Sequence, residues 1–82
     1  MVYYVYVLKS CKYNRIYIGI SEDPLKRLEE HNSGMTKSTK FYKPYKVIYQ
    51  EKHYNRLEAR LREKYLKSGE GRELIKSNFM GR

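Results

Sequence analysis

The sequence predicts a compact α+β domain in which a small three-stranded antiparallel sheet is flanked by helices, in the order β-β-α-β-α-(α). Three observations support this prediction. An uncharged run of aromatic and β-branched residues opens the chain, a short polar link joins it to a second strand-like segment, and two later segments begin with helix-capping residues. The 82 residues are expected to form one domain, 1–82, because a core of this size cannot be divided further.

The first two predicted strands form an antiparallel hairpin. Residues 2–8 are apolar or aromatic throughout, which is typical of a central strand with both faces covered. Residues 9–14 are polar and turn-forming, and they lead into a second strand at 15–20 that carries an isoleucine at every second position. Tyr17 therefore lies on the face opposite the isoleucines, where Gly19 leaves a gap through which a ligand can approach the sheet.

The first helix has a recognisable start and end. Asp23 can accept a hydrogen bond from the first-turn amides, and Pro24 suits the first helical position because its missing N–H has no partner there. The helix is expected to end at about Asn32, with Gly34 as a suitable C-terminal cap. Its expected apolar contacts are Leu25 and Leu28.

A basic loop and a third strand follow. Residues 35–44 are polar and basic and end in a proline, so we expect a mobile loop. Residues 45–52 form the third strand. The lysines of the basic stretch 36–46 can grip a nucleic-acid backbone, and the aromatic residues among them either stack on unpaired bases or pack the stretch onto the sheet. Those aromatic residues are Phe41, Tyr42 and Tyr45.

The second helix is predicted to begin at Asn55, with Glu58 three residues later in a capping-box arrangement. Apolar residues at i, i+4 and i+8 indicate a stripe that faces the core. The stripe consists of Leu57, Leu61 and Tyr65. Two glycines, at 69 and 71, are expected to break this helix and to leave one or two helical turns within 73–79.

Net charge is the strongest compositional signal. The chain carries 18 Lys and Arg against 9 Asp and Glu, a net charge of +9 with a pI near 9.7, which favours a polyanionic partner. Ordinary solubility, a ribosomal protein or a membrane-surface protein are the alternatives. The chain has no apolar run near the roughly 20 residues that span a bilayer and no signal-peptide pattern, so we expect a cytoplasmic protein. The single cysteine, Cys11, fits that expectation.

A few polar residues can supply the chemistry of phosphodiester cleavage. Arg27 and His31 are four apart and share a helix face, and an Arg can clamp phosphate oxygens while a His relays a proton. Glu63 can hold a hard divalent cation. Each has a simpler explanation: a solvated surface charge, a helix-end histidine, or an ion pair with Arg60 or Lys67. From the residues alone, the sequence indicates a basic α+β domain that binds nucleic acid.

The motifs, taken in order, resemble those of the GIY-YIG nucleases. The paired motif is matched by Tyr4-Val5-Tyr6 and Tyr17-Ile18-Gly19, the following helix by residues 23–31, and the metal-bearing helix by residues 57–67, with Glu63 at the metal position. The resemblance covers nearly the whole chain and is closest to small stand-alone bacterial members, similar to the nuclease domain of the excision-repair incision subunit. The glycine that opens the first motif is Tyr4 here.

This resemblance implies a metal-dependent endonuclease that hydrolyses phosphodiester bonds in nucleic acid, with DNA favoured over RNA and a role in DNA repair. One Mg²⁺ or Mn²⁺ is expected, bound by Glu63. We expect a monomer without membrane association, and a protein partner for targeting is a further expectation. The alternative is a catalytically silent nucleic-acid-binding module of the same fold. The expected catalytic residues are Tyr6, Tyr17, Arg27, His31 and Glu63, and the expected nucleic-acid-binding residues are Gly19, Lys37, Lys40, Lys43 and Asn78.

Overall fold

The computed structural model describes residues 2–37 and 39–79 and confirms the predicted α+β fold. Within these residues, three strands form one sheet, and three helices and one 3₁₀ turn complete the domain. The elements are β1 (Tyr3–Ser10), β2 (Ile16–Ser21), α1 (Pro24–Asn32), a 3₁₀ turn (Lys40–Tyr42), β3 (Tyr45–His53), α2 (Arg56–Lys67) and α3 (Gly69–Phe79). None of the described helices is long and apolar enough to cross a bilayer.

The sheet has the order β2-β1-β3, and both pairings are antiparallel. This confirms the predicted hairpin and the predicted central position of the first strand. Residues 5–8 of β1 are buried on both faces of the sheet. In the β1–β2 ladder, Tyr6 stands opposite Gly19 and Leu8 stands opposite Tyr17. The ladder between β1 and β3 shifts register between Val7 and Leu8.

The two faces of the sheet carry separate hydrophobic clusters. On one face, Val5, Val7 and Ile18 pack against side chains from α2 and α3. On the other face, Tyr6 and Leu8 pack with Tyr45, Tyr17 and Leu28, and α1 covers them. The alternation of side chains along β1 produces this division, since neighbouring residues of a strand point to opposite faces.

Helix α1 begins and ends as its sequence predicts. The Asp23 carboxylate accepts a hydrogen bond from the Lys26 amide at 3.2 Å, and Gly34 has the positive φ of +86° that suits a helix C-terminus. Leu28 packs on the sheet as expected, but the expected contact from Leu25 is wrong because this side chain is largely exposed. The helix turns its Pro24 side inward, and Leu25 lies roughly 100° around the helix axis from that position.

The predicted core-facing stripe of α2 is wrong. Leu57 and Leu61 are 70% and 60% exposed, and Tyr65 is exposed as well. The buried residues of this helix are Ala59 and Leu66. The small side chain of Ala59 lets the helix approach the sheet closely. Leu66 lies about two turns further along the helix and packs on the same side. The inward face therefore consists of Ala59 and the residues four and seven positions later, Glu63 and Leu66. The stripe that begins at Leu57 faces outward.

Helix α3 is longer than expected, because the two glycines lie inside it. It spans Gly69–Phe79, and Ser68 separates it from α2. A β-carbon at Gly71 would overlap the backbone of Tyr65 and Leu66. Gly71 therefore permits close packing of two consecutive helices, whereas the sequence suggested that it ends one.

The loop at 35–44, which we expected to be mobile, is tied to the domain at both ends. Asn32 donates a side-chain hydrogen bond to the Tyr45 carbonyl at 3.0 Å and accepts one from the Tyr45 amide at 2.6 Å. The Ser10 hydroxyl donates to the Tyr42 carbonyl, also at 2.6 Å. Thr39 is buried within the loop. These contacts hold the described loop residues against the end of α1 and the C-terminal end of β1.

The two faces of α2 predict opposite responses to the same substitution. Leu66→Ala removes buried methyl groups and should lower the free energy of unfolding by about 2–5 kcal/mol. Leu57→Ala changes an exposed position of the same helix and should alter that free energy by no more than about 0.5 kcal/mol. Urea unfolding followed by circular dichroism measures both. Equal losses in the two variants would contradict the observed orientation of α2.

Candidate active site

Tyr6 lies at the centre of the candidate site, and Gly19 makes room for it. Tyr6 is buried on the α1-facing side of the sheet. A β-carbon at Gly19 would lie 2.7 Å from the Tyr6 hydroxyl oxygen and 3.1 Å from the Tyr17 ring. The gap that the sequence predicts at Gly19 is thus filled by two tyrosines. The expected contact between Gly19 and nucleic acid stays a prediction.

Arg27 connects α1 to Tyr6. Its guanidinium lies close enough to the Tyr6 hydroxyl to act on the pKa of that group, and it pairs with the Glu30 carboxylate one turn later. The Arg27 side chain is half-buried, so part of its donor fork still faces solvent. Glu30 thereby fixes the direction of a guanidinium that can also reach a phosphate.

His31 lies beneath the tyrosines and is 0% exposed. Its Nδ1 is 2.7 Å from the Thr39 hydroxyl oxygen, and its ring centre is 4.6 Å from that of Tyr17 and 6.2 Å from that of Tyr45. Its Nε2 is buried and makes no hydrogen bond to any part of the chain that the structure describes. The histidine is therefore neither a helix cap nor a solvated side chain, which were the simpler explanations.

The electrostatics of the cluster favour neutral aromatic side chains. Burial raises the pKa of the Tyr6 hydroxyl above its ordinary value; Tyr17 and Glu63 add to this effect, while Arg27 opposes it. Burial also lowers the pKa of His31, and the nearby charge of Arg27 acts in the same direction, with Glu30 opposing. At neutral pH, Tyr6 thus retains its proton and His31 carries only one.

Glu63 projects from α2 near the aromatic cluster, close enough for its charge to act on Tyr6. Its side chain is 15% exposed, and its carboxylate oxygens lie 3.0 Å from the Lys67 ammonium and 3.8 Å from Arg60 Nε. A groove of about 420 Å³ runs along this part of the helix, lined by Glu63 and basic residues. No three His, Cys, Asp or Glu side chains gather in the described part of the chain, so Glu63 is a single-carboxylate site.

The other expected contact residues lie apart from this cluster. Lys37, Lys40 and Lys43 are exposed along the loop at 35–44. Asn78 lines a different groove with Tyr49 and with residues of α2 and α3, none of which is an expected catalytic residue. The structure therefore unites the aromatic residues, Arg27, His31 and Glu63, but it does not bring Asn78 to them.

The aromatic residues of the basic loop divide between the two expected roles. Tyr45 is buried, and Tyr42 packs edge-on against Tyr13 and under the Arg15 guanidinium, which is 4.2 Å from its ring centre. Phe41 is exposed, with Lys40 beside its ring. Packing explains two of the three aromatic residues, and Phe41 alone among them is available for stacking on a base.

Sequence reasoning missed two residues that support the site. Glu30 pairs with Arg27, and the i, i+3 spacing of two opposite charges is a signal that could have revealed it. Thr39 contacts His31 from a different element, and no local pattern indicates that contact. The ion pairs of Glu63 with Arg60 and Lys67, which were its simpler explanation, are present, and both cations also line the groove beside it.

A comparison with known protein families matches residues 2–76 to the GIY-YIG catalytic domain. The chain belongs to the GIY-YIG family. It is 37% identical over 67 residues to a UPF0213 protein of Staphylococcus saprophyticus, which covers 80% of each chain. It is 42% identical over 65 residues to a UPF0213 protein of Clostridium perfringens, covering 78% of this chain and 69% of that one.

A solved structure shows the same GIY-YIG arrangement. The solution NMR structure of a UPF0213 protein from Bacillus halodurans is 30% identical and superimposes with a TM-score of 0.56, covering 94% of this chain and 84% of that one. Membership of this nuclease family and likeness to small bacterial relatives confirm the resemblance drawn from the motifs. The family match includes Tyr4, where the first motif usually has glycine.

The close approach at Gly19 predicts a specific effect of an added methyl group. Gly19→Ala should displace the Tyr6 hydroxyl and change the NMR chemical shifts of Tyr6 and Tyr17, because the new carbon would lie within 3.1 Å of both side chains. Gly69→Ala is the matched control, since a β-carbon there meets nothing within 4 Å. Unchanged tyrosine shifts in Gly19→Ala would show that the hydroxyl does not occupy the gap.

The lowered pKa of His31 predicts a pH-dependent stability. The unfolded chain protonates this histidine near pH 6.5, whereas the folded chain resists protonation, so the stabilisation is complete above that pH and is lost as pH falls through the folded pKa. The contribution changes by at most about 1.4 kcal/mol per pH unit. Urea unfolding at pH 7.5 and 5.0 should show a smaller loss in His31→Gln than in wild type, and His53→Gln should retain the contribution of His31. An identical loss in His31→Gln and wild type would contradict a buried neutral His31.

Proposed function

We propose that this chain is a divalent-metal-dependent endonuclease that hydrolyses phosphodiester bonds of nucleic acid, with DNA as the favoured substrate. The observation that carries the proposal is the convergence of Tyr6, Tyr17, Arg27 and His31 on one face of the sheet, within electrostatic reach of Glu63. Membership of the GIY-YIG nuclease family supports the reaction class. The net charge of +9 supports a polyanionic substrate.

The donor set of the site fits a hard cation such as Mg²⁺ or Mn²⁺. Glu63 offers one carboxylate, and such ions commonly keep several water ligands and use one or two carboxylates together with substrate phosphates. Glu63 would hold the ion, which when bound supplies a Lewis acid at a phosphate oxygen. The cation competes for Glu63 with the Lys67 ammonium, 3.0 Å from the carboxylate. Affinity in the absence of substrate is therefore expected to be weak.

Arg27, Tyr6 and Tyr17 have separate roles in the proposed reaction. Arg27, oriented by Glu30, neutralises charge on the phosphate as a water adds to phosphorus and one P–O ester bond breaks. Tyr6 lies beside the guanidinium, and its raised pKa keeps the hydroxyl protonated at neutral pH, so little phenolate is present to act as a base. Tyr17 is the more accessible of the two tyrosines and stacks near His31, so it suits the orientation of the attacking water. This division favours Tyr17 over Tyr6 as the residue next to the nucleophile.

Two basic surfaces flank the candidate site. One is the loop with Lys37, Lys40 and Lys43, and the other is the groove along α2 with Arg60 and Lys67. Contacts from such side chains to phosphate carry no sequence information, so targeting is assigned to nucleic-acid structure or to a partner protein. One such site per monomer cuts one strand in each event.

The deciding experiment is cleavage of labelled single-stranded, duplex, flap and branched DNA and RNA with Mg²⁺, Mn²⁺ or EDTA. Wild type should cut only with metal. Glu63→Gln keeps the size of the side chain and should abolish the metal-dependent activity. Arg27→Gln should lower the rate by about 10²–10³-fold, as expected for a lost donor to transition-state charge.

Glu58→Gln is the matched control for Glu63→Gln, because it makes the same chemical change on an exposed position of the same helix. Its activity should equal that of wild type. Salt-sensitive binding without cleavage by wild type, under every metal and substrate condition, would replace the enzyme with the catalytically silent binding module. Cleavage that Glu63→Gln retains would remove Glu63 from the metal site.

A further inference from the structure

The hydrogen bond between His31 and Thr39 joins two buried side chains. His31 is 0% exposed and Thr39 is 2% exposed, and their polar atoms are 2.7 Å apart. The contact joins α1 to the loop at 35–44, which the sequence presents as a separate, basic segment. The loss of a buried hydrogen bond between neutral groups leaves a buried polar atom without a partner, which is unfavourable. Such a bond can fix the orientation of the imidazole ring.

The surroundings of Thr39 select one of the two neutral forms of His31. The Thr39 hydroxyl is 3.4 Å from the Thr36 carbonyl oxygen, to which it can donate. Its oxygen is then free to accept a hydrogen bond from His31 Nδ1–H. In the opposite arrangement the hydroxyl donates to Nδ1, and the bond to Thr36 is lost. The form with hydrogen on Nδ1 therefore makes one more hydrogen bond.

The choice of form decides what Nε2 offers to the active site. With hydrogen on Nδ1, Nε2 carries a bare lone pair and is an acceptor. Nε2 is the buried side-chain nitrogen or oxygen that lacks a partner in the described residues, and the His31 ring adjoins Tyr17, 4.6 Å between ring centres. An unused acceptor beside the accessible tyrosine is suited to taking a proton from that tyrosine or from a water that it holds.

We propose that Thr39 is a positioning residue that holds His31 in its Nδ1–H form and so presents Nε2 to the active site as a proton acceptor. The proton that leaves the attacking water passes through the Tyr17 hydroxyl to Nε2 and gives a doubly protonated imidazole. Thr39 stays bonded to Nδ1 throughout. This catalytic part of the inference rests on the nuclease function proposed above, whereas the form of His31 is a property of the protein alone.

The position of Thr39 also connects two parts of the site. It lies between Lys37 and Lys40 in the chain, so the segment that carries these exposed cations also carries the contact to His31. Burial of Thr39 keeps its hydroxyl inside while the neighbouring lysines face solvent. The hydrogen bond between Thr39 and His31 therefore holds the loop against α1 before any substrate is bound.

The protonation of His31 can be read directly by long-range ¹H–¹⁵N NMR of the imidazole at pH 7.5, without substrate or metal. Wild type and Thr39→Ser, which keeps the hydroxyl, should both show hydrogen on Nδ1. Thr39→Val has nearly the same shape without the hydroxyl and should lose this pattern. Hydrogen on Nε2 in wild type, or an Nδ1–H pattern that Thr39→Val retains, would overturn the proposal.

Cleavage kinetics then test the consequence for the reaction. Thr39→Val should lower kcat by about 10–100-fold with little change in KM, as for other partners that orient a functional histidine, and Thr39→Ser should recover most of the rate. Thr36→Val is the matched control, since Thr36 contributes its main-chain carbonyl, which that substitution retains. It should keep the wild-type rate and the wild-type form of His31.

The two readouts separate the two proposals. A wild-type protein that cuts no substrate refutes the nuclease function, while the NMR pattern still decides whether Thr39 sets the form of His31. An active wild type in which Thr39→Val loses the Nδ1–H form but keeps full kcat refutes the positioning role. Urea unfolding of each variant accompanies both measurements, and the wild-type spectrum remains decisive even where Thr39→Val fails to fold.

Discussion

Burial of both faces of β1 is the constraint from which the rest of the structure follows. Val5 and Val7 point to one face and are covered by α2 and α3, while Tyr6 and Leu8 point to the other and are covered by α1. As the central strand of three, β1 also has both of its edges paired, with β2 and β3. The buried cluster on the first face consists of aliphatic side chains, so it can supply much of the stability of the domain. The second face is therefore free to carry polar side chains.

The polar face is built as a core with few unsatisfied groups. Tyr6 meets Arg27, and His31 meets Thr39, so most of the buried polar atoms that we place in the site have partners. Burial without such partners would cost about 1–3 kcal/mol for each group, which a domain of this size tolerates poorly. The exception is His31 Nε2. A buried nitrogen without a partner calls for an explanation, and the proton transfer proposed for His31 supplies one.

Much of the fold follows from local sequence signals, and the failures share one cause. The hairpin and the Asp23-Pro24 helix start depend on neighbouring residues, and the structure confirms them. The length of α3 and the partner of Thr39 depend on contacts across the chain, where Gly71 meets α2 and Thr39 meets α1. Local spacing indicates which residues share a helix face, as Arg27 and His31 do. It does not indicate which face turns inward.

Helix α2 shows why the inward face could not be read from hydrophobicity. Its two possible inward faces exclude each other, because Leu61 and Glu63 point in directions that differ by about 160° around the helix axis. Burying Leu57 and Leu61 would turn Glu63 away from the aromatic cluster. Burying Ala59 and Leu66 instead keeps Glu63 on the inward side, where its charge acts on Tyr6.

The orientation of α2 that supports the candidate site thus exposes two leucines that a helix selected only for stability would bury. The loss is limited because Leu66 and Ile75 still fill the space against Val5 and Val7. A helix whose strongest apolar stripe faces solvent is therefore evidence about function. The role proposed for Glu63 would account for this orientation, because it needs the carboxylate on the inward side of α2.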